Sequence, residues 1–221
     1  MKIGVLALQG DVPEHVAALD RLLPPESVVP VRRVEDLERV VGLFLPGGES
    51  TTIGRLLEKT GLDRALKSRA QSGFPVLATC AGLILLASDL EPSPGGRDPH
   101  PLGLLDVRVR RNDYGRQRES FEGPVAVEGL AAPFPGVFIR APRILSVGSK
   151  ATVVARHGTE VVGVRQENLW GLTFHPELSG DARVHRLFLS ETLGLGQPST
   201  NQTTRRVTTS KALPNATTDQ N

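Results

Sequence analysis

Three short and almost wholly apolar runs dominate the first ninety residues: Met1 to Leu8, Val40 to Leu45 and Phe74 to Thr79. None alternates apolar with polar residues, so each reads as a strand buried on both faces. Segments of helical period lie between them. A strand followed by a helix and another strand demands a crossover, and crossovers of that kind make a parallel sheet with helices on both faces. The chain is therefore expected to fold as an α/β protein of three layers, α/β/α, around a mostly parallel central sheet.

The segment Val12 to Leu23 repeats apolar residues at Val16, Leu19, Leu22 and Leu23 and accommodates Pro13 in its first helical turn. A short strand is expected at Val28 to Arg33 and a helical turn at Asp36 to Arg39. Helices are expected at Thr51 to Glu58, Leu62 to Gln71 and Gly82 to Ser88. From Gly103 onward helix gives way to strand-like runs at Leu104–Val109, Val125–Val127, Val137–Ile139, Thr152–Ala155, Val161–Arg165 and Leu169–Phe174. These predict a small antiparallel extension, closed by a last helix over Asp181 to Leu193. After Gly196 the chain is rich in Thr, Asn and Gln and has no apolar period. The expected division is a domain over residues 1–195 and a disordered tail over 196–221.

Charge argues against a nucleic-acid partner. Of 26 basic and 24 acidic residues, the segment from Gln197 holds Arg205, Arg206 and Lys211 against Asp219, leaving 23 of each sign elsewhere. Aromatic residues make up only 4%, too few for a base-stacking platform. The N-terminal apolar stretch runs straight into Gln9, Asp11 and Glu14 and does not read as a signal peptide. No run approaches the ~20 apolar residues of a membrane span. A cytoplasmic location and no membrane partner are expected. A single cysteine excludes an intramolecular disulfide and a Cys-based zinc cluster, and no Cys/His cluster has metal-ligand spacing.

That cysteine lies in VLATCAGLILLA, where a strand meets a helix. Ala78 and Gly82 flank Cys80 as small residues, the pattern of a nucleophile on a sharp strand–turn–helix corner. The helix beginning at Ala81 or Gly82 would aim its free N–H groups and positive end at the sulfur. A core cysteine at an apolar junction fits the same stretch. Ligands of open α/β sheets bind at the carboxyl ends of strands, and two further loops lie at such ends. PGGEST (Pro46 to Thr51) has adjacent glycines that let backbone approach a ligand, and Gly47 or Gly48 could join the Ala81 N–H in an oxyanion hole. The same loop also reads as a plain strand-to-helix turn with Ser50 or Thr51 as N-cap. FHPE (Phe174 to Glu177) places a carboxylate two residues after His175 across a stiff proline, a base oriented by an acid. His15, His100, His157 and His185 read instead as solvated or packing residues.

LPGGEST, TCAGLILLA and FHPE, in this order, resemble the class I glutamine amidotransferases, which have a flavodoxin-like fold and a Cys-His-Glu triad. The stretches GVLALQGDVPEH, PGGESTT, RRNDYGRQRESFE, GVFIRAP and FHPELSGDARVH narrow the resemblance to the glutaminase subunits of pyridoxal 5′-phosphate synthase, over roughly residues 1–195. The resemblance implies hydrolysis of L-glutamine to glutamate and ammonia, with the ammonia passed to a separate synthase subunit (PdxS type) that makes pyridoxal 5′-phosphate. It implies Cys80 as nucleophile, His175 as base and Glu177 as its orienting acid, with Gly48 and Ala81 in the oxyanion hole. It implies glutamine contacts from Gly47, Gly48, Glu49, Ser50, Arg111, Ile139 and Arg140. A guanidinium suits the α-carboxylate because it bonds bidentately; Glu49 would bond the α-amino group or cap the following helix. Gln9 and Gly10 would couple the site to the docked partner. No cofactor and no metal are implied. The competing readings are an amidotransferase serving a different acceptor, a stand-alone cysteine hydrolase and a non-catalytic binding module.

Overall fold

The computed structural model describes residues 1–93, 95, 98–111 and 120–195. The first half runs β1 (Ile3–Leu6), α1 (Val12–Asp20), β2 (Val28–Val31), α2 (Val34–Glu38), β3 (Leu43–Leu45), α3 (Ser50–Thr60), α4 (Leu62–Gln71), β4 (Val76–Thr79) and α5 (Ala81–Leu86). Then come β5 (Ala87–Leu90), β6 (Leu105–Arg110), β7 (Ser120–Val127), β8 (Phe134–Ile139), β9 (Arg143–Val147), β10 (Thr152–His157), β11 (Glu160–Gln166) and β12 (Leu169–Leu172). A 3-10 turn at Pro176–Leu178 and α6 (Arg183–Leu193) complete the described chain.

Among the described residues the main sheet has nine strands in the order β2-β1-β3-β4-β12-β11-β10-β7-β8. Pairing is parallel from β2 to β12 and antiparallel beyond it. A smaller sheet, β5-β6-β9, sits beside it. The expected three-layer α/β architecture is present. The physical cause shows in the side-chain alternation of the parallel strands. Leu43 and Leu45 of β3 join one apolar cluster and Phe44 joins the other; Val76 and Ala78 of β4 face one way and Leu77 the opposite way. One cluster is sealed by α3, α4 and α5 through Ile53, Leu57, Leu62, Leu66 and Leu83. The other is sealed by α1 and α6 through Leu19, Val184, Phe188 and Leu189. A strand with two apolar faces is stable only when both are covered.

Three local expectations need correction. The helix predicted to reach Ser88 ends at Leu86, because Ala87–Leu90 pairs with β6 and the Ser88 hydroxyl donates to the Val107 carbonyl. The segment Arg143–Val147 is a strand that its modest apolar content did not suggest; it pairs antiparallel with β6. Neither Ser50 nor Thr51 caps α3. Glu49 is the N-cap, its carboxylate accepting from the N–H groups of Thr51 and Thr52. No helix among the described residues is long and apolar enough to cross a membrane. The predicted tail, 196–221, lies outside the described residues, as does most of the RRNDYGRQRESFE block, residues 112–119.

Candidate active site

The carboxyl ends of β1, β3, β4 and β12 are neighbours in the parallel half of the sheet, and each delivers one piece of the site. Leu172 is in register with Thr79, so Cys80, one residue past β4, and His175, three past β12, emerge at the same edge. The loops after β1 (Gln9 to Asp11) and β3 (Pro46 to Glu49) close over them. Cys80, His175, Gly48, Glu49, Ser50, Arg111, Ile139 and Arg140 line one cavity of about 300 Å³, with Asp11 and Ile84. Eight of the sequence-predicted site residues thus converge there.

Cys80 occupies a left-handed backbone conformation, φ +48° and ψ −103°, which a non-glycine residue adopts only under constraint from its surroundings. That constraint is visible. The Cys80 N–H donates to the Leu172 carbonyl and its own carbonyl accepts from Ile84, pinning the corner between β12 and α5. Gly82 allows the close approach: a Cβ there would stand 2.3 Å from the Leu45 carbonyl oxygen. The thiol sits 3.9 Å from the Ile139 carbonyl, at the N-terminus of α5.

His175 is buried against Gly47, where a Cβ would come within 2.3 Å of the ring Cε1. Its Nδ1 lies 2.8 Å from the Glu177 Oε1 and 3.3 Å from the Asp11 Oδ2. Its Nε2 has no hydrogen-bond partner and turns toward the cavity that Cys80 lines. Burial pushes the imidazole pKa down. The Asp11 carboxylate, the Cys80 sulfur and the Glu177 carboxylate outweigh burial and carry it up to about 12. Glu177 is buried, and burial raises its pKa while His175 opposes the rise. Asp11, His175 and Glu177 also present ligand atoms within 4.8 Å of one another. Two carboxylates converging on one imidazole nitrogen account for that grouping without an ion.

The chain belongs to the SNO glutamine amidotransferase family. The family's model matches residues 5–193. Among its relatives, the pyridoxal 5′-phosphate synthase subunit PdxT of Methanothrix thermoacetophila is 50% identical over 188 residues, 85% of this chain and 98% of the relative. The subunit of the same name from Streptomyces coelicolor is 52% identical over 187 residues, 84% of this chain and 91% of the relative. A solved glutamine amidotransferase superposes with a TM-score of 0.80 at 45% identity, covering 88% of this chain and all of the other.

In this member of the family two of the expected glutamine-contact residues, Arg111 and Glu49, already have partners. Arg111 pairs with Asp98 at 3.1 Å and with Glu49 at 3.3 Å, and also donates to the Thr51 hydroxyl. Glu49 therefore both caps α3 and faces Arg111; its pKa is lowered, the Thr52 and Thr51 donors overcoming partial burial. Ile139 and Arg140 lie exposed at the cavity rim, and Arg140 has φ +43°. Gln9 accepts the Glu49 N–H through Oε1 at 2.8 Å. Gly48 has φ +141°, and a Cβ there would stand 2.6 Å from Gln9 Oε1. Gly10 approaches Gly47 so closely that a Cβ would stand 1.8 Å from its carbonyl oxygen.

Sequence reasoning missed Asp11, His15, Thr79 and His185. His15 and His185 are packing residues, but wholly buried ones: His15 reaches Glu177, and His185 reaches His15. A signal for them existed. His15 is spaced i,i+4 from Leu19, and His185 is i,i+3 and i,i+4 from Phe188 and Leu189, so both histidines interrupt apolar helical stripes.

Proposed function

We propose that this chain is the glutaminase subunit of a pyridoxal 5′-phosphate synthase: it hydrolyses L-glutamine and passes the ammonia to a synthase subunit. The observation that carries the reading is the convergence of a strained-corner thiol and an acid-paired imidazole on one cavity.

The chemistry follows from the geometry. His175, whose raised pKa favours the protonated ring already at rest, holds the proton that Cys80 gives up, and the sulfur attacks the side-chain amide carbon of glutamine. The imidazolium that results is stabilised by the carboxylates at its Nδ1. The developing oxyanion would meet N–H groups from Ala81, at the start of α5, and from Gly48. His175 then protonates the leaving nitrogen, the C–N bond breaks, and ammonia departs from a γ-glutamyl thioester. Water attacks the thioester, giving its proton back through His175 to the sulfur, and glutamate leaves. Arg111 suits the α-carboxylate of glutamine, with Gly47, Gly48, Glu49, Ser50, Ile139 and Arg140 around the rest of the substrate. Gln9 and Gly10 clasp the strand-end loop that carries Gly48, which fits them for coupling partner docking on α1 to the oxyanion hole.

The test is glutamate release from L-glutamine by wild type and Cys80→Ala, with and without the cognate synthase subunit. Release that rises with the partner and vanishes in the variant supports the reading. Turnover indifferent to the partner would leave a glutaminase serving another acceptor. No turnover with the partner bound would discard the thiol chemistry.

A further inference from the structure

Behind the triad, away from the cavity, four polar side chains form a buried chain through the core. His15 on α1, Thr79 at the end of β4, His185 on α6 and Glu177 are all nearly or fully buried. His15 Nε2 lies 3.4 Å from Glu177 Oε2 and 3.2 Å from Thr79 Oγ1. His15 Nδ1 lies 3.2 Å from His185 Nε2. The rings pack on Phe44, His185 stacked on it at 5.4 Å. Two imidazoles in an apolar layer are costly to bury, and Leu or Phe at either position would seal the same cluster.

The hydrogen count decides how the chain is wired. Suppose His15 carries its proton on Nδ1. It then donates to His185, whose own proton must sit on Nδ1, a buried atom with no partner. The His15 Nε2 lone pair would also face the Glu177 carboxylate. Both arrangements are unfavourable: a buried N–H is orphaned, and a lone pair faces the carboxylate even when the Thr79 hydroxyl donates to that nitrogen. With the protons on Nε2 of both rings, His185 donates to His15 Nδ1, and the His15 Nε2–H donates to Thr79 Oγ1 with Glu177 Oε2 beside it, 3.4 Å from the same nitrogen. Only an acceptor lone pair on His185 is then left over. Glu177 Oε2, which has no hydrogen-bond partner, then faces the positive end of an N–H dipole rather than a lone pair.

Resting on the glutaminase reading above, we infer that His15 is a positioning residue for Glu177: as a neutral Nε2–H imidazole, backed by His185, it holds the carboxylate in line with His175 Nδ1. His15 reaches the reaction only through Glu177. Through Thr79 it also braces the residue before the nucleophile. Burial, with His185 and His175 nearby, holds its pKa well below the ordinary value, so it stays neutral and keeps one donor and one acceptor. The titratable groups facing this assembly are His175 and Glu177 after β12, Asp11 and Arg21 at the two ends of α1, and His185 on α6.

The experiment compares wild type, His15→Phe and His15→Gln, each with the synthase subunit, for kcat and KM of glutamine across pH. Phenylalanine keeps the packing and removes the donor; glutamine returns an N–H near the position of Nε2. For His15→Phe, kcat is expected to fall about 10- to 100-fold with little change in KM, less than the ~10²–10⁴ of a group that itself moves the proton. The acid limb of the profile should move to higher pH, since Glu177 loses an N–H dipole that faces its ionised form. His15→Gln should restore most of the rate. In a Glu177→Gln background, His15→Phe should cost almost nothing further. A folded His15→Phe with wild-type kcat and pH profile, or one whose cost is unchanged without Glu177, would overturn the inference. Nitrogen-15 spectra of wild-type protein give a second readout that needs no variant: both His15 and His185 should be Nε2–H tautomers, and an Nδ1–H His15 refutes the wiring. A wild type that releases no glutamate sinks the parent reading instead, and the tautomer still decides whether His15 turns an N–H toward Glu177.

Discussion

Adding one methyl group at Gly47 tests whether the placement of His175 sets the rate. Gly47 is not in the left-handed region, so alanine can adopt its backbone conformation, and its carbonyl keeps the N–H of Asp11. The new Cβ would stand 2.3 Å from His175 Cε1 and 2.8 Å from Asp11 Oδ2. Asp11 is half-buried and can swing aside. His175 cannot do so freely, because its ring is buried and its Nδ1 is tied to Glu177. Restoring an ordinary carbon–carbon separation of about 3.5 Å requires the ring to retreat by roughly 1 Å. A displacement of that size from the reacting geometry costs about 10²-fold, or about 2.7 kcal/mol of transition-state stabilisation. Steady-state glutamate release with the synthase subunit present should show the loss in kcat. KM should change little, because any contact of glutamine with the Gly47 backbone survives. Thermal denaturation checks that the fold is intact. If Gly47→Ala folds with a native midpoint and keeps kcat within about threefold of wild type, the reasoning fails, since 1 Å at a working base is not that cheap.

Gly82→Ala should instead damage stability. Its Cβ would stand 2.3 Å from the Leu45 carbonyl oxygen, a rigid backbone atom of β3, so α5 must lift from the sheet. The expected cost is about 1–3 kcal/mol, read as a lower denaturant midpoint; an unchanged midpoint would mean that the corner is soft. The buried His185 has its pKa pushed down to about 4 from 6.5, chiefly by desolvation and then by Arg21. The unfolded chain therefore binds more protons than the native one between these values. Stability contributed by the neutral ring is complete above 6.5 and is lost as pH falls toward 4. Urea denaturation should show a steeper loss of stability over that window for wild type than for His185→Phe, and equal slopes would contradict the assignment. Gln9→Ala removes the acceptor for the Glu49 N–H and should weaken activation by the synthase subunit without lowering the thermal midpoint. An unchanged activated rate would separate Gln9 from partner coupling.

Much of the site was legible because its parts are local. The corner at Cys80 shows as small residues around a lone thiol, since only glycine fits against the Leu45 carbonyl at position 82. The His175–Glu177 pair shows because a single proline separates base from acid, and the contact is made within the loop itself. The N-cap of α3 stayed open between Ser50 or Thr51 and Glu49 for a reason of the same scale. Ser50 and Thr51 are common caps, but the Glu49 carboxylate reaches two N–H groups at once and sits opposite Arg111, a partner 62 residues away.

The sequence by itself determined the strand–helix alternation, the parallel sheet it requires, and the strand ends on which a thiol, a diglycine loop and an acid-paired histidine would stand. Apolar period and turn chemistry are local properties, and they suffice for that much. Tertiary structure decided which polar groups meet. His15 lies 64 residues from Thr79 and 170 from His185 along the chain. Their contacts exist because α1 and α6 cover the same face of the sheet. A histidine interrupting an apolar stripe is compatible with surface or core until the opposing helix is in place, and only then does its burial force a single tautomer and a partner. Asp11 reaches His175 for the same kind of reason: β1 and β12 lie in the parallel part of one sheet, and its register, not spacing along the chain, sets the distance between their ends.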